Sequence, residues 1–266
     1  MPEFDLTAYA GFSLFFNPEQ MSLTTFDGFD FARKSRTVLE MINVLRNPVG
    51  VAPHYVVYYL FYPETLPPRF QAQLDRYRLT YSLVAMSPGT VNGEYHKTIG
   101  HYHPLIPDTE LPFPEVYTQL YGTLHLLLQK LDPEDPEKVL DCHLVKMTPG
   151  YTITLPPGYA HVLINTSSSP GLMAGLYGKA FRPNYHQVGK MHGLAYYLTS
   201  KEEGFTIEPN PHYKWIPPLD FLEKQAGTDF VYDEPGLPLW TSFTQHPARY
   251  AFLTQADAVL QRFSGS

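Results

Sequence analysis

The sequence predicts a mostly β protein, an antiparallel sandwich or barrel with one helix toward each end of the chain. Short runs rich in β-branched and aromatic residues recur at nearly regular spacing. Most of them are bounded by Pro or Gly turn signals. The composition agrees, since aromatic residues make up 15% of the 266 and 26 prolines leave little room for long helices.

The first element expected is a helix over residues 35–45. Val38, Leu39, Ile42 and Leu45 recur there at i, i+3 and i+4 spacing, and Asn47-Pro48 supplies the stop. Strands follow at residues 55–62 (YVVYYLFY), 79–86 (LTYSLVAM), 124–129 (LHLLLQ) and 140–147 (LDCHLVKM), then at 151–155 (YTITL), 161–165 (HVLIN) and 172–177 (LMAGLY). The punctuation between them is Ser87-Pro88-Gly89, Asn92-Gly93, Thr148-Pro149-Gly150, Pro156-Pro157-Gly158 and Ser169-Pro170-Gly171. Residues 108–114 read as a Pro-rich surface loop, 132–138 (DPEDPEK) as a charged hairpin tip, and 209–218 as a capping strap. After His246-Pro247, an apolar stripe of Phe252, Ala256, Val259, Leu260 and Phe263 predicts the last helix. No internal repeat or low-complexity tract interrupts this order.

Charge and composition exclude several function classes. The net charge is 19 − 26 = −7, so no global basic field draws the chain to nucleic acid or anionic lipid. With 44% hydrophobic and 17% charged residues, the chain can fill a core and is not a disordered polymer. The lone Cys142 excludes a disulfide framework and a thiolate metal cluster, which leaves nitrogen and oxygen ligands for any metal. No run reaches the roughly 18 apolar residues of a membrane span. Glu3 and Asp5 stand where a signal peptide needs positive charge. A cytoplasmic protein is expected, with no membrane or nucleic-acid partner.

The chemistry concentrates between residues 98 and 165. His101-Tyr102-His103 puts two imidazoles on one face if the segment is extended, which is half of a divalent metal site. Glu115 is followed, after six intervening residues, by Gly122. Gly150, Pro156, Gly158, His161 and Asn165 then fall in the spacing G-x5-P-x-G-x2-H-x3-N. A single HxH pair is weak evidence, but this downstream context strengthens it.

These two segments resemble the motifs of the cupin superfamily, two His and a Glu in the first and a third His in the second. The second matches at every position; the first carries Tyr95 where the family has Gly, and eleven residues separate His103 from Glu115. Glu110, inside that insertion, is the rival carboxylate and lacks a Gly at the matching offset. The finer resemblance is to the cupin-type phosphoglucose isomerases. Gly93–Pro104 (GEYHKTIGHYHP), Pro114–Gln129 (PEVYTQLYGTLHLLLQ) and Pro156–Pro170 (PPGYAHVLINTSSSP) carry it, with RTVLEMINVLRNP near the N-terminus and NPHYKW at residues 210–215. It spans roughly residues 36–216, leaving 1–35 as an N-terminal extension and 217–266 as a C-terminal extension that packs on the barrel or a dimer contact.

The resemblance implies a double-stranded β-helix, the jelly-roll barrel of cupins, and a homodimer. It implies that His101, His103, Glu115 and His161 hold one divalent metal, with Fe(II) preferred and Mn, Ni or Zn as alternatives. It implies interconversion of glucose 6-phosphate and fructose 6-phosphate, with Thr98 and Gly100 lining a phosphate pocket and Tyr117 and Tyr177 near the sugar. Thr80 is a second candidate phosphate donor. One departure stands out: Pro183 occupies the position of a phosphate-binding His of the family, with Arg182 and His186 as nearby substitutes. Aldose–ketose interconversion needs a base at carbon and an acid at oxygen, for which Glu115, Tyr117 and His96 are the candidates, whether by proton transfer or by hydride shift. A dioxygenase, an epimerase or a non-catalytic sugar-binding cupin would use the same cage.

Overall fold

The computed structural model describes residues 3–222 and 236–263. Two antiparallel sheets face each other. The larger has six strands in the order Thr152–Leu155, Glu115–Tyr121, Gly171–Gly178, Leu79–Met86, Val56–Thr65 and Asp30–Thr37. The smaller runs Tyr159–Ile164, Leu124–Leu131, Val139–Met147 and Asp220–Leu222, with only the last strand parallel to its neighbour. From Glu115 onward the chain visits the large sheet, the small sheet twice, the large, the small and the large again. That winding between two sheets is the jelly-roll pattern expected from the sequence, and the fold is mostly β.

Alternation along each strand divides the large sheet into two chemically distinct faces. Tyr58, Leu60, Tyr62, Thr80, Ser82, Val84, Glu115, Tyr117, Gly175 and Tyr177 line the space between the sheets. Their sequence neighbours Phe61, Tyr81, Leu83, Ala85, Val116, Leu120, Ala174 and Leu176 are buried on the opposite side. This outer core is closed by both ends of the chain. The strands Leu14–Asn17 and Ser22–Thr25 supply Phe16 and Leu23, and the helix Leu239–Gln245 supplies Trp240 and Phe243. Trp240 is 1% exposed and meets Phe12, Phe29, Phe70 and Tyr81 edge-on at centroid distances of 5.0–5.7 Å. Within the described residues, parts of both extensions thus cover one face of the large sheet, while residues 30–35 and 220–222 are themselves strands of the large and the small sheet. The predicted C-terminal extension also includes residues 223–235 and 264–266, which lie outside the described part.

Several local expectations change. The helix predicted over 35–45 shrinks to one turn, Val38–Met41, because residues through Thr37 are taken by a strand paired antiparallel with Val56–Thr65. The Thr37 N–H donates to the Glu40 carboxylate at 2.9 Å, which caps that short turn. Leu39 and Ile42, expected on the buried stripe, are 54% and 48% exposed, whereas Val38, Met41, Val44 and Leu45 are buried. At the C-terminal end, residues 247–253 form a 3-10 turn before the helix Ala256–Phe263, so Phe252 precedes that helix and Leu260 faces out. The helix Pro68–Tyr77, with Pro at its start and Leu74 buried, was not foreseen. Nor were the strands Tyr196–Ser200 and Phe205–Pro209 of a small sheet beside Glu94–Tyr95.

Candidate metal centre and substrate cavity

The cavity between the sheets has a volume of about 390 Å³. His101 and His161 meet across it, because the two segments form an isolated antiparallel bridge at those residues. Gly100 permits that approach. It holds a φ of +75°, and a Cβ there would lie 3.2 Å from the His161 carbonyl. The ring of His103 lies 5.4 Å from that of His101, centroid to centroid, so both imidazoles of the HxH pair project the same way.

Glu115 enters from the large sheet. His101, His103, Glu115 and His161 each offer one ligand atom, all within 4.8 Å of one another. Glu115 Oε2 lies 3.3 Å from His103 Nε2 and 3.7 Å from His161 Nε2. The rival Glu110 is exposed and stands outside this group, so the geometry favours the carboxylate with Gly122 at its motif offset.

Whether these residues suit a metal is testable on their unsatisfied atoms. His101 Nε2, His103 Nε2 and Glu115 Oε2 are buried without a hydrogen-bond partner. Three orphaned atoms aimed at one small volume are costly unless something binds there. His103 Nδ1 is 2.5 Å from the Phe113 carbonyl, which turns Nδ1–H toward the backbone and leaves the Nε2 lone pair free. Burial, helped by neighbouring imidazoles, holds His101 and His161 well below the ordinary histidine range, so both are neutral and able to ligate. Nitrogen and oxygen donors in this number suit a divalent first-row ion. The cluster fits a metal.

Tyr117 sits beside it, with its hydroxyl 2.7 Å from His161 Nε2. Burial, then the Glu115 charge, pushes its phenol well above the usual value, so it is protonated at neutral pH. Burial also raises the Glu115 carboxyl, an effect countered by His103 and by the Tyr117 hydroxyl. Gly175, opposite Tyr117 in the register, keeps this corner open. A Cβ there would sit 2.9 Å from the Tyr117 ring and 3.0 Å from Glu115 Oε1. Tyr177 donates to Ser82 Oγ at 3.2 Å, and burial raises its phenol too.

Of the other expected residues, Thr80, Thr98, Gly100, Tyr177 and Arg182 line the cavity. The Thr98 hydroxyl accepts the Leu163 N–H at 3.0 Å, so it also fastens the segment carrying the HxH pair to the strand Tyr159–Ile164. Arg182 Nη1 donates to the carbonyls of Phe181 and Lys179. Two candidates stand away from the cavity. The His96 ring is held by the Tyr55 hydroxyl and the Ser87 carbonyl, both at 3.1 Å, and packs against Gly89, so it serves the fold. His186 is exposed at the start of the helix His186–Lys190 and is not a lining residue. Conversely, Tyr58, Tyr62, Ser82 and Tyr185 line the cavity without having been singled out. Alternation could have found Tyr58 and Tyr62, each two residues from Leu60, but only after the strand's inner face was known.

A family model described as glucose-6-phosphate isomerase (GPI) matches residues 43–215, more than half of the chain and all four candidate ligands. The chain belongs to the glucose-6-phosphate isomerase family. Glucose-6-phosphate isomerase of Thermococcus litoralis is 28% identical over 137 residues, covering 52% of this chain and 64% of that protein. The Pyrococcus furiosus enzyme is 26% identical over 136 residues, 51% of this chain and 65% of its own. The match thus spans just under two-thirds of the length of these curated relatives. Among solved structures, a cupin domain of an XRE family transcriptional regulator from Enterobacter cloacae aligns with a TM-score of 0.26 and 15% identity, over 38% of this chain and 82% of that one. A likeness of that size carries no argument about this protein.

Proposed function

We propose that the protein is a metal-dependent aldose–ketose isomerase that interconverts glucose 6-phosphate and fructose 6-phosphate. The observation that carries this reading is the buried quartet His101, His103, Glu115 and His161, open to a cavity large enough for a sugar, in a chain of this family. A divalent ion held by the quartet, iron by preference and manganese, nickel or zinc as alternatives, would supply Lewis-acid stabilisation of negative charge on the substrate oxygens.

The protein's own groups account for the proton traffic. Isomerisation moves one proton between adjacent carbons and another between their oxygens. Glu115, which lines the cavity, is the carboxylate nearest that chemistry and the candidate base at carbon. Tyr117, protonated and 2.7 Å from His161 Nε2, is positioned to give and recover the oxygen proton. Tyr177 and Ser82, hydrogen-bonded to each other on the next strands, offer hydroxyls to the sugar chain. Leu60, Val84 and Leu163 give the cavity an apolar wall beside these groups. With His96 engaged elsewhere, the acid–base work falls to Glu115 and Tyr117. The same reading takes the protein as a cytoplasmic homodimer, which size-exclusion chromatography with light scattering checks.

The test is an isomerase assay on glucose 6-phosphate, run against unphosphorylated glucose and mannose 6-phosphate, before and after chelation. Turnover of glucose 6-phosphate should vanish once metal analysis reads zero and return with one divalent ion per chain. Unchanged turnover in verified metal-free protein would sink the proposal.

A further inference from the structure

Two cationic side chains, Lys179 and Arg182, line the cavity, and a third, Arg36, stands on the edge strand beside it; they differ in what already holds them. Lys179 lines the rim but is paired with the Asp75 carboxylate at 2.6 Å, with its side chain 58% exposed. Arg182 is exposed and spends Nη1 on two backbone carbonyls. Arg36 is different, since its side chain is only 15% exposed.

Arg36 lies on the edge strand Asp30–Thr37, directly opposite Tyr58 in the register, so it shares the face that Tyr58, Leu60 and Tyr62 present to the cavity. Its guanidinium is electrostatically coupled to the hydroxyls of Tyr58, Tyr185 and Tyr62, all three of which line the cavity. Glu40 takes Nη1 at 2.9 Å and thereby fixes the fork's orientation. Nε, by contrast, is buried with no hydrogen-bond partner. A buried guanidinium donor without an acceptor is expensive, and guanidinium geometry matches a phosphate oxygen pair. Pro183, a lining residue on the opposite lip, has no donor to offer an anion.

We infer that Arg36 anchors the phosphate of the substrate, with Tyr58, Tyr62 and Tyr185 as hydroxyl partners. The inference rests on the phosphosugar reading above. It adds a binding residue from outside the matched segment, which begins at residue 43.

Two measurements on protein of equal metal content test it. Calorimetric titration with inorganic phosphate compares wild type with Arg36→Met and Arg36→Lys, and steady-state kinetics follow KM for glucose 6-phosphate. In Arg36→Met, phosphate affinity should fall and KM rise by roughly 10- to 100-fold, as expected for a lost charge-assisted hydrogen bond. Arg36→Lys, which keeps the charge without the fork, should recover part of both. Wild-type phosphate affinity in a folded Arg36→Met, or in Arg36→Lys and Arg36→Gln should the Met variant not fold, overturns the assignment. So does wild-type protein that binds no phosphate. The two readings fail separately. Phosphate binding that depends on Arg36 without sugar turnover sinks the isomerase reading and keeps the anchor. Normal turnover with an unchanged KM in the variants does the reverse.

Discussion

The inner and outer faces of the six-stranded sheet are built from the same strands and do opposite work. Along Glu115–Tyr121, Glu115 and Tyr117 point into the cavity while Val116 and Leu120 are fully buried beneath the N- and C-terminal segments. Along Leu79–Met86, Thr80 and Ser82 alternate with Tyr81 and Leu83 in the same way. The outer face is aromatic and tightly buried, with Tyr81 Oη and Trp240 Nε1 unpartnered inside it, whereas on the inner face the unpartnered atoms of His101, His103 and Glu115 gather around one small volume. A pleat of period two lets one strand carry both, because neighbouring residues never share a surroundings.

That contrast can be broken by single substitutions. On the inner face, Glu115→Ala should lower kcat for glucose 6-phosphate by about 10³-fold or more and reduce the bound metal, while the apo-protein Tm stays near wild type. Full activity in a metal-loaded Glu115→Ala protein would refute its role. On the outer face, Trp240→Ala empties the centre of an aromatic cluster and should cost about 3–5 kcal/mol in denaturant unfolding. Activity per folded, metal-loaded molecule should hold. A Trp240→Ala protein with wild-type stability would show that the terminal segments do not support the sheet.

The smallest effect concerns the other sheet. His125 lies opposite Lys146 and touches Thr166 at 3.0 Å and the Phe205 ring. Burial, then the Lys146 charge, lowers its pKa to about 4. The unfolded chain takes up this proton near pH 6.5 and the folded one does not, so the stability contribution is complete above about 6.5 and drains away as pH falls toward 4. Melting curves across that window should flatten in His125→Gln, whereas activity at neutral pH is unaffected. An identical pH slope in the variant would exclude His125 as the titrating group.

How much of this was readable from the chain depends on how local the signal is. The second motif packs its Pro, Gly, His and Asn into sixteen residues of turn and strand, so His161 is legible from spacing alone. His101 and His103 are legible for the same reason, and the choice of Glu115 over Glu110 followed from the glycine beyond it. The helix over residues 35–45 was misjudged because its periodicity is real but short. Pairing with Val56–Thr65 captures its first three residues, and the hydrogen bonds of a long ladder outweigh one more helical turn. His96 offered an imidazole in a promising segment, yet its ring turns away from the cavity to two fold-building partners.

By itself, then, the sequence determined the β character and the succession of strands and turns, and it picked out His101, His103, Glu115 and His161, which the structure brings together. Each of these is written in turn chemistry or alternation within a few tens of residues. Only the tertiary structure decided which tyrosines line the cavity, that segments from the two ends meet on one side of the large sheet, and that Arg36 stands opposite Tyr58 on the edge strand. Those outcomes depend on register and on which strand lies at the edge. Hydrogen-bonded pairing between distant segments sets both, and no short stretch of residues encodes that pairing alone.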